Sequence, residues 1–492
     1  MPTITLISYV YSIGDFDRSH ITDLDILTVN GQAQLYATTR YDGVISSWNI
    51  TGTNLFLLQT DDFSGVLRAG GTSTLNTIAL SGGGVGLLTG GGAGGALQVQ
   101  QLQANGGFGS PTNLTALAAP LGGLHDTETI TLGNGTQAVY GALTGTNGIA
   151  RVIFDSNGTY QSQTIYPDLN QTYAENITAL TSATVGATQY LFTASGTKNG
   201  VTSWAVANNG NIGSRANMGN DEGLWITAPS AMEIAQVAGE TFLIVASAGS
   251  NSLSVLQVGI DGSLTMRDHM LDTLDSRFAG VTDLVVLPHQ GQTYIIAGGA
   301  DDGISVFVLM PGGQLVARAF IEDTTAMGLE NISAITAQSN GNGLDIFVAS
   351  SSEFGITRLR LDTGAAGVIL DTAAAGGTAT GSAGNDILSG LNGDDVVIGG
   401  GGEDLLRDGA GTDTLTGGAG ADIFVLAYDN SPDVITDFEI GIDRIDLSGW
   451  PMLRSISQLT MAMTPTGMTI TYGDETLTIY SKSGTAIDHR LL

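Results

Sequence analysis

Between residues 20 and 364 the chain repeats one arrangement of apolar and polar positions: an apolar run, a Gly, Ser or Asp turn, and a second, alternating run. The turn and the run after it read DGVISSWNI (42–50), GGALQVQQL (94–102), NGIARVIF (147–154), NGVTSWAV (199–206), NSLSVLQV (251–258), DGISVFVL (302–309) and FGITRLRL (354–361). The aligned positions are 51 to 53 residues apart and are occupied by Gly43, Gly95, Gly148, Gly200, Ser252, Gly303 and Gly355. Such a constant period predicts a repeat architecture of small β-sheets.

Seven units of this length, each with room for about four short strands, predict a seven-bladed β-propeller over residues 1–364. Stacking around a ring buries both faces of each blade and leaves only short edges exposed. The run at residues 3–10 precedes the first repeat and is expected to supply the outer strand of the last blade. A β-solenoid and two sandwiches are the alternatives. The period is too long for one solenoid coil, and its constancy disfavours sandwiches.

A second pattern, with a period of nine residues, occupies residues 381–425: GSAGNDILS, GLNGDDVVI, GGGGEDLLR, DGAGTDTLT and GGAGADIFV. In each unit an aspartate follows a glycine by two positions, and an apolar residue follows that aspartate by two. Units of this kind predict alternating turns and short strands, with two units in each coil. Repeats 18 residues apart then stack on the same side. Residues 365–380 are rich in Ala, Gly and Thr and are predicted to be a linker.

The nine-residue unit resembles the hemolysin-type calcium-binding repeat of RTX proteins. Glycine permits turns that leave backbone carbonyls open to a ligand, and Ca²⁺ prefers six to eight oxygen ligands from carbonyls and carboxylates. Stacking of alternate repeats predicts ions between Asp386 and Asp404, between Asp395 and Asp413, and between Asp404 and Asp422. The chain is therefore predicted to be all-β, a propeller followed by a parallel RTX β-roll at residues 381–430.

The resemblance implies a ligand set for each ion, because in the family two stacked repeats share it through backbone carbonyls and aspartate side chains. The first implied set is Ser382, Gly384 and Asp386 with Gly399, Gly401 and Asp404. The second is Leu391, Gly393 and Asp395 with Asp408, Ala410 and Asp413. The third is Gly400, Gly402 and Asp404 with Gly417, Ala419 and Asp422. Ser382, Leu391 and Asp408 stand where the family pattern has glycine, and carbonyl donation survives these changes.

Residues 421–450 resemble the end of the serralysin-type C-terminal domain, and residues 431–492 are predicted to form a C-terminal cap with a secretion signal region. In that family the aspartate of the ITDF motif closes the last ion site, which implies Asp437 with Gly418, Gly420 and Asp422. Asp443 and Asp446 are either further ligands or surface turn residues. The resemblance also implies export by type I secretion machinery through an uncleaved C-terminal signal, although Arg490 interrupts the usual acidic and apolar tendency.

Composition narrows the classes of function. The 492 residues include 47 acidic and 16 basic side chains, a formal charge of −31, so the chain has no basic footprint for nucleic acid. It has no cysteine, which excludes disulfides and thiolate metal sites. Neither a cleavable secretory signal nor a membrane-spanning apolar stretch is predicted. These features favour a secreted protein whose roll folds on binding Ca²⁺ after export.

Two hypotheses remain for the role of the propeller. HExxH and GxSxG motifs are absent from the sequence, which favours a non-enzymatic surface-layer, matrix or adhesion component that self-assembles or binds a polysaccharide. The alternative is a hydrolase or lyase of a lactone, sugar or phosphate ester with its groups at the central channel. Candidate channel residues are His20, His125, Asp126, Glu175, Glu233, Asp283 and Glu330. Trp225 is a candidate sugar platform, whereas Trp48 and Trp204 occupy equivalent repeat positions and predict packing between blades.

Overall fold

A computed structural model describes residues 2–10, 20–39, 44–62, 75–89, 98–113, 124–143, 147–169 and 171–488. These residues form β-strands and a few short 3₁₀ turns, and no α-helix is found among them. Short polar turns separate strands of three to nine residues, as the alternating sequence pattern predicts. Of the aligned turn positions, Gly43 and Gly95 lie outside the described residues.

Seven four-stranded antiparallel sheets form the blades of a propeller, which confirms the predicted fold class. An N-terminal strand, β1 (Ile4–Val10), precedes them. Blades 1 to 3 contain β2 (Ile21–Val29), β3 (Gln32–Thr39), β4 (Val44–Thr51), β5 (Asn54–Asp62); β6 (Leu75–Ala79), β7 (Val85–Thr89), β8 (Gln98–Leu102), β9 (Phe108–Asn113); and β10 (Leu124–Thr131), β11 (Gln137–Leu143), β12 (Ile149–Phe154), β13 (Tyr160–Tyr166).

Blades 4 to 6 contain β14 (Ile177–Val185), β15 (Thr188–Ser195), β16 (Gly200–Val206), β17 (Ile212–Gly219); β18 (Pro229–Val237), β19 (Glu240–Ser247), β20 (Ser252–Val258), β21 (Leu264–Leu271); and β22 (Asp283–His289), β23 (Gln292–Gly298), β24 (Gly303–Leu309), β25 (Leu315–Glu322). Blade 7 contains β26 (Ile332–Ser339), β27 (Gly343–Ser350) and β28 (Ile356–Asp362). The first strand of each blade is innermost, because β2, β6, β10, β14, β18, β22 and β26 contact one another around the ring.

The ring is closed by the N-terminal strand, as predicted. Strand β1 pairs antiparallel with β28 from Ile4 opposite Leu361 to Val10 opposite Ile356, and so becomes the outer strand of blade 7. The inner strands are also joined by hydrogen bonds, in which a Ser or Thr hydroxyl donates to a carbonyl of the next blade. Each of these bonds is 2.6 Å long, and they join Thr178 to Pro229, Ser230 to Val281, Thr282 to Ile332 and Ser333 to Ile21.

Apolar side chains fill the spaces between blades. Trp48 is buried between blades 1 and 7 with Phe347, and Trp204 is buried between blades 3 and 4 with Ile130. The predicted inter-blade role of these two tryptophans is therefore confirmed. Trp225 differs, because 72% of its surface is exposed.

Residues 366–446 form the parallel β-roll, whose strands lie in two sheets. The first sheet contains β29 (Ala366–Asp371), β31 (Asn385–Ser389), β33 (Leu405–Arg407), β35 (Ile423–Val425) and β37 (Arg444–Asp446). The second contains β30 (Thr378–Thr380), β32 (Val396–Gly401), β34 (Thr414–Ala419) and β36 (Pro432–Phe438). The pairs Ile387–Leu405 and Val396–Thr414 have the predicted 18-residue stagger.

The roll begins earlier than the sequence predicts. Residues 365–380 are not a free linker, because β29 pairs in parallel with β31 and β30 pairs in parallel with β32. They form one further coil that lacks the aspartates of the later repeats. Small Ala, Gly and Thr side chains fit this coil, and the Ala379 side chain is buried in the roll core beside Val397.

A C-terminal cap closes the other end of the roll. Strands β38 (Thr460–Thr464), β39 (Gly467–Tyr472) and β40 (Glu475–Ser481) continue the second sheet, with β40 pairing in parallel with β36. Leu388, Leu406 and Phe424 point into the roll and pack on Met468, Ile479 and Trp450 of the cap in one apolar cluster.

The first sheet of the roll packs on blades 6 and 7 of the propeller. Ile387, Leu405 and Ile423 belong to the same buried cluster as Tyr294 and Val308 of blade 6. Polar contacts surround this apolar patch: Gln292 Nε2 donates to Asn385 O at 3.0 Å, and Arg407 Nη1 donates to Pro311 O at 3.0 Å. Two repeat systems that are separate in sequence therefore share a core.

Closure of the ring by β1 predicts that a single side chain in this strand controls propeller stability. Ile4 is 7% exposed, so Ile4→Ala is expected to lower the free energy of unfolding by about 2–4 kcal/mol through lost burial and a residual cavity. Thr5→Ala, at the exposed neighbouring position, is the control and should change it by less than about 0.5 kcal/mol. Denaturant midpoints measured at saturating Ca²⁺ check this, and equal midpoints for both variants would contradict the closure.

Candidate calcium sites of the β-roll

The regularly spaced aspartates of the nine-residue units form two columns, each running through every second repeat. Asp386, Asp404 and Asp422 form column 1, and Asp395 and Asp413 form column 2. Each Oδ1 accepts a hydrogen bond from the backbone 18 residues earlier. Asp386 N–H donates to Asp404 at 2.8 Å, Asp404 N–H to Asp422 at 3.0 Å and Asp395 N–H to Asp413 at 2.7 Å. These bonds fix one oxygen of each carboxylate and orient the other.

The second oxygen of three of these aspartates is buried without a partner. Among the described residues, Asp404 Oδ2, Asp413 Oδ2 and Asp422 Oδ2 accept no hydrogen bond. The three residues are at most 1% exposed. A buried, unpaired carboxylate oxygen is costly unless a cation binds it. The donor set therefore fits Ca²⁺, a hard cation that prefers oxygen ligands.

Glycines bring carbonyl oxygens beside these carboxylates. A Cβ at Gly399 would collide with both Asp404 Oδ2 and Gly417 O, and one at Gly381 would collide with Asp386 Oδ2 and Gly399 O. Gly402 (φ 117°) and Gly420 (φ 137°) have left-handed backbone conformations that other residues rarely adopt. The turns therefore leave a space, lined by carboxylate and carbonyl oxygens, that any larger residue would fill.

Burial and mutual repulsion raise the pKa values of Asp404, Asp413 and Asp422. Burial raises the pKa of Asp404 to about 7, and the neighbouring carboxylates of Asp422 and Asp386 add to the increase. Burial likewise raises the pKa of Asp413 and Asp422 to about 6, again with repulsion from nearby carboxylates. Ca²⁺ bound between these groups would offset that repulsion.

The structure brings the first three predicted ligand sets together as stacked pairs of turns. In each set the two aspartates are adjacent in a column, and the remaining residues lie in the two turns that precede them. Some carbonyls also accept hydrogen bonds: Ser382 O from Gly401 at 3.1 Å, and Ala410 O from Gly393 at 2.6 Å. A carbonyl oxygen has a second lone pair for an ion. Ca²⁺ binding by these residues stays a prediction.

The fourth predicted set, with Asp437, has a different environment. The two Asp437 oxygens accept the N–H groups of Gly417 and Gly418, each at 2.9 Å. Gly418 O accepts a hydrogen bond from Lys482 Nζ at 2.6 Å, and the same ammonium contacts Glu439 at 2.6 Å. The positively charged Lys482 side chain therefore lies at the end of column 1. Asp443, rather than Asp437, continues this column, because it accepts Asp422 N–H at 3.0 Å.

Sequence reasoning missed the residue that continues column 2. Asp433 accepts Asp413 N–H at 2.9 Å, as Asp413 does from Asp395. Asp433 follows Asp413 by 20 residues and Asp443 follows Asp422 by 21, so an 18-residue search finds neither. The parallel pairing of Thr414 with Val434 shows that the coil is longer here by the two extra residues.

The propeller contributes a buried cation next to column 1. Arg318 of β25 is 3% exposed, its Nη2 lies 3.5 Å from Glu403, and its Nε and Nη1 have no hydrogen-bond partner among the described residues. Burial lowers its pKa, whereas the nearby Glu403, Asp404 and Asp422 carboxylates oppose that decrease. Arg318 thus offsets part of the negative charge of the roll from outside.

A second group of carboxyls lies on the innermost strands of the propeller. Burial raises the pKa of Asp126 to about 8, with repulsion from Glu128 and Asp283, and raises that of Glu233 to about 8, with repulsion from Glu128 and Asp283. These residues lie on the innermost strands of blades 3, 5 and 6, which line the middle of the ring. Glu233 keeps some solvent-accessible surface although the surrounding strands desolvate its carboxyl, and Asp126 is partly buried.

Of the predicted channel candidates, Asp126, Glu233 and Asp283 lie on innermost strands, together with Asp23, Asp25 and Glu128. His20, Glu175 and Glu330 lie in the segments that lead into β2, β14 and β26. His125 lies in β10, but its side chain is outside the described part of the chain. Asp126 Oδ2 accepts Leu180 N–H of the next blade at 2.6 Å.

Taken together, the stacked nine-residue coils and the ring of blades define the class: a seven-bladed β-propeller joined to a parallel β-roll. Residues 365–476 match the family model described as Peptidase M10 serralysin C terminal, an RTX-type domain, which confirms the predicted resemblance for this region. Among curated protein sequences none matches the chain. No helix in the described ranges is long and apolar enough to cross a membrane.

Solved structures similar to the propeller come from several bacteria. A protein from Lactobacillus plantarum is 15% identical with a TM-score of 0.47, over 64% of this chain and 86% of that chain. A putative 6-phosphogluconolactonase from Bacteroides fragilis is 14% identical with a TM-score of 0.46, over 64% and 85%. The periplasmic gluconolactonase of Pseudomonas aeruginosa is 13% identical with a TM-score of 0.47, over 63% and 87%. These similarities assign no activity to this chain.

The columns predict unequal effects of single substitutions on ion stoichiometry. Asp404 belongs to two predicted ligand sets and Asp395 to one, so Asp404→Asn should remove two bound Ca²⁺ ions per chain and Asp395→Asn one. Equilibrium dialysis of the full-length protein measures the number. Asp394→Asn, at the exposed neighbouring position, should leave it unchanged. Equal losses for Asp404→Asn and Asp394→Asn would contradict the shared-ligand arrangement.

The channel carboxyls predict a pH-dependent propeller. A carboxyl whose pKa is raised on folding favours the native state below its unfolded pKa, and this contribution is lost as pH rises through the folded value. For Asp126 that window runs from 3.8 to about 8. The melting temperature at saturating Ca²⁺ should therefore fall between about pH 5 and about pH 8.5, and Asp126→Asn should reduce the slope. Asp221→Asn, at an exposed position, should have the wild-type slope; a wild-type slope in Asp126→Asn would refute the assignment.

Proposed function

We propose that this protein is a secreted calcium-binding RTX protein, a non-enzymatic extracellular component whose roll folds on binding Ca²⁺ after export. The observation that carries the proposal is the set of buried carboxylate oxygens without partners at Asp404, Asp413 and Asp422. The match of residues 365–476 to the serralysin C-terminal family supports the calcium and type I export parts of it.

Calcium concentration is the physical switch in this proposal. In a calcium-poor cytosol the column carboxylates repel one another, so the roll is disfavoured and the chain suits passage through a channel. Outside the cell the ion binds only the folded arrangement of turns, and its binding free energy becomes folding free energy. Extracellular calcium modules need dissociation constants of about 10⁻⁴–10⁻³ M for this response.

Docking of the roll on the propeller extends the effect of calcium beyond the roll. Ile387, Leu405 and Ile423 cover apolar side chains of blades 6 and 7. If the roll unfolds, this patch of the propeller becomes exposed to water. An isolated roll would expose the same patch, so the full-length chain is the appropriate sample for a test.

Removal of calcium should unfold the roll and leave the propeller ring formed. We expect hydrogen exchange in β31–β36 to rise sharply in excess EGTA, whereas the innermost strands β14, β18 and β22 should keep most of their protection. Within the propeller, the loss of protection should be confined to the parts of blades 6 and 7 that face the roll. Mg²⁺ at the same concentration is the control ion and should not restore protection, because it prefers a rigid octahedral site. Unchanged exchange in EGTA would disprove calcium-dependent folding.

For the propeller we propose a role in self-assembly or in binding a cell-surface or matrix polysaccharide. The exposed Trp225, at 72% of its surface, supports a sugar-stacking contact. The alternative function, a hydrolase or lyase, is favoured by one observation: carboxyls with raised pKa values lie on the innermost strands of several blades. Electron microscopy with Ca²⁺ tests assembly. Turnover of lactones, sugars or phosphate esters that Glu233→Gln abolishes would instead favour the enzyme.

A further inference from the structure

Carboxylates from three separate segments meet at the end of column 2. Asp429 follows β35, Asp433 lies in β36 and Glu475 is the first residue of β40. Oxygen atoms of the three carboxylates lie within 4.8 Å of one another. Two oxygens that bind one Ca²⁺ ion, each at 2.3–2.6 Å, can be at most about 5 Å apart. The three groups are therefore close enough to share an ion.

A fourth carboxylate, with an unpartnered oxygen, adjoins the three. Asp413 is 1% exposed, and its Oδ2 accepts no hydrogen bond from the described residues. Its N–H donates to Asp433 Oδ1 at 2.9 Å, which fixes Asp413 against Asp433. Burial raises the pKa of Asp433 to about 7, and among the neighbouring charges Asp413 contributes most, followed by Glu475 and Asp429. Asp413 therefore adjoins the cluster through Asp433 and carries a buried oxygen that has no partner among the described residues.

No cation of the chain offsets this cluster in the described structure. The ion pairs found there leave Asp429, Asp433 and Glu475 without a Lys or Arg partner. The end of column 1 differs, because the Lys482 ammonium contacts Gly418 O and Glu439. Glu475 is 1% exposed, and its Oε2 accepts only backbone N–H groups, from Asp429 at 3.0 Å and Asn430 at 2.8 Å.

We propose that Asp429, Asp433 and Glu475, next to Asp413, bind a divalent cation of the calcium type that joins the C-terminal cap to the roll. The proposal rests on the proposed calcium-dependent function and adds to it a site with a ligand from the cap. Glu475 lies where β40 begins to pair with β36. The ion would therefore hold the first residues of β40 against the last full coil, so that docking of β38–β40 requires calcium.

The test compares full-length wild type with Glu475→Gln, Asp429→Asn and the control Asp474→Asn. Asp474 is exposed and adjacent to Glu475, so the control removes the same charge without touching the cluster. Equilibrium dialysis with radioactive Ca²⁺ measures bound ions, and hydrogen exchange measures protection of β40. Glu475→Gln and Asp429→Asn should each bind one ion fewer per chain and lose protection in β40, with the propeller unchanged. Asp474→Asn should match wild type.

Wild-type ion numbers and wild-type β40 protection in both Glu475→Gln and Asp429→Asn would overturn the site. The two variants lie on different segments, so an effect on folding of one segment alone would not imitate the paired loss. If wild type itself binds no Ca²⁺, the proposed function fails and this site with it. If wild type binds Ca²⁺ and neither variant loses an ion, this site alone fails.

Discussion

The stacking of buried aspartates is the interaction on which the rest of the roll depends. Each column places like charges one coil apart with a free oxygen turned inwards, as at Asp404 and Asp422. Burying unpaired carboxylates is strongly unfavourable, so the coils stack only where a cation or a proton offsets the charge. Two other features support this stacking. The glycine turns bring carbonyl oxygens beside the carboxylates, and the parallel strand pairs fix the 18-residue stagger.

The propeller is stabilised in a different way, and the contrast explains how the two domains combine. Its ring is closed by β1 and by hydroxyl-to-carbonyl bonds such as that from Ser333 to Ile21, which need no ion. Blades 6 and 7 therefore present an apolar surface on which the roll packs. Arg318 adds a buried positive charge to that surface beside Asp404 and Asp422. Docking on the propeller thus lowers the electrostatic cost that the roll must otherwise offset with ions alone.

The sequence allows the fold to be predicted because both repeat periods are regular over many copies, whereas contacts that depart from the period are missed. The coil at residues 365–380 has Val368 and Gly377 where the later repeats have aspartate, so its small residues resemble a linker. Asp433 and Asp443 follow their predecessors by 20 and 21 residues, because the coils lengthen towards the cap. The sequence does contain a signal for the docking face. Ile387, Leu405 and Ile423 occupy the same position of alternate repeats and pack on the propeller. Val396 and Thr414 occupy that position in the other sheet and are not buried.

The C-terminal cap gives the two columns chemically different ends, and this asymmetry follows from one strand. Glu475 begins β40 and Lys482 follows it, so a single strand brings a carboxylate to column 2 and an ammonium to column 1. The ammonium offsets charge at any calcium concentration, whereas the carboxylate adds to the repulsion until a cation binds. Because β40 pairs with β36, the edge of the second sheet lies at β38 of the cap and not at the last coil of the roll. The cap therefore has one contact with column 1 that needs no ion and one with column 2 that the proposed cation completes, so docking of β38–β40 depends on calcium.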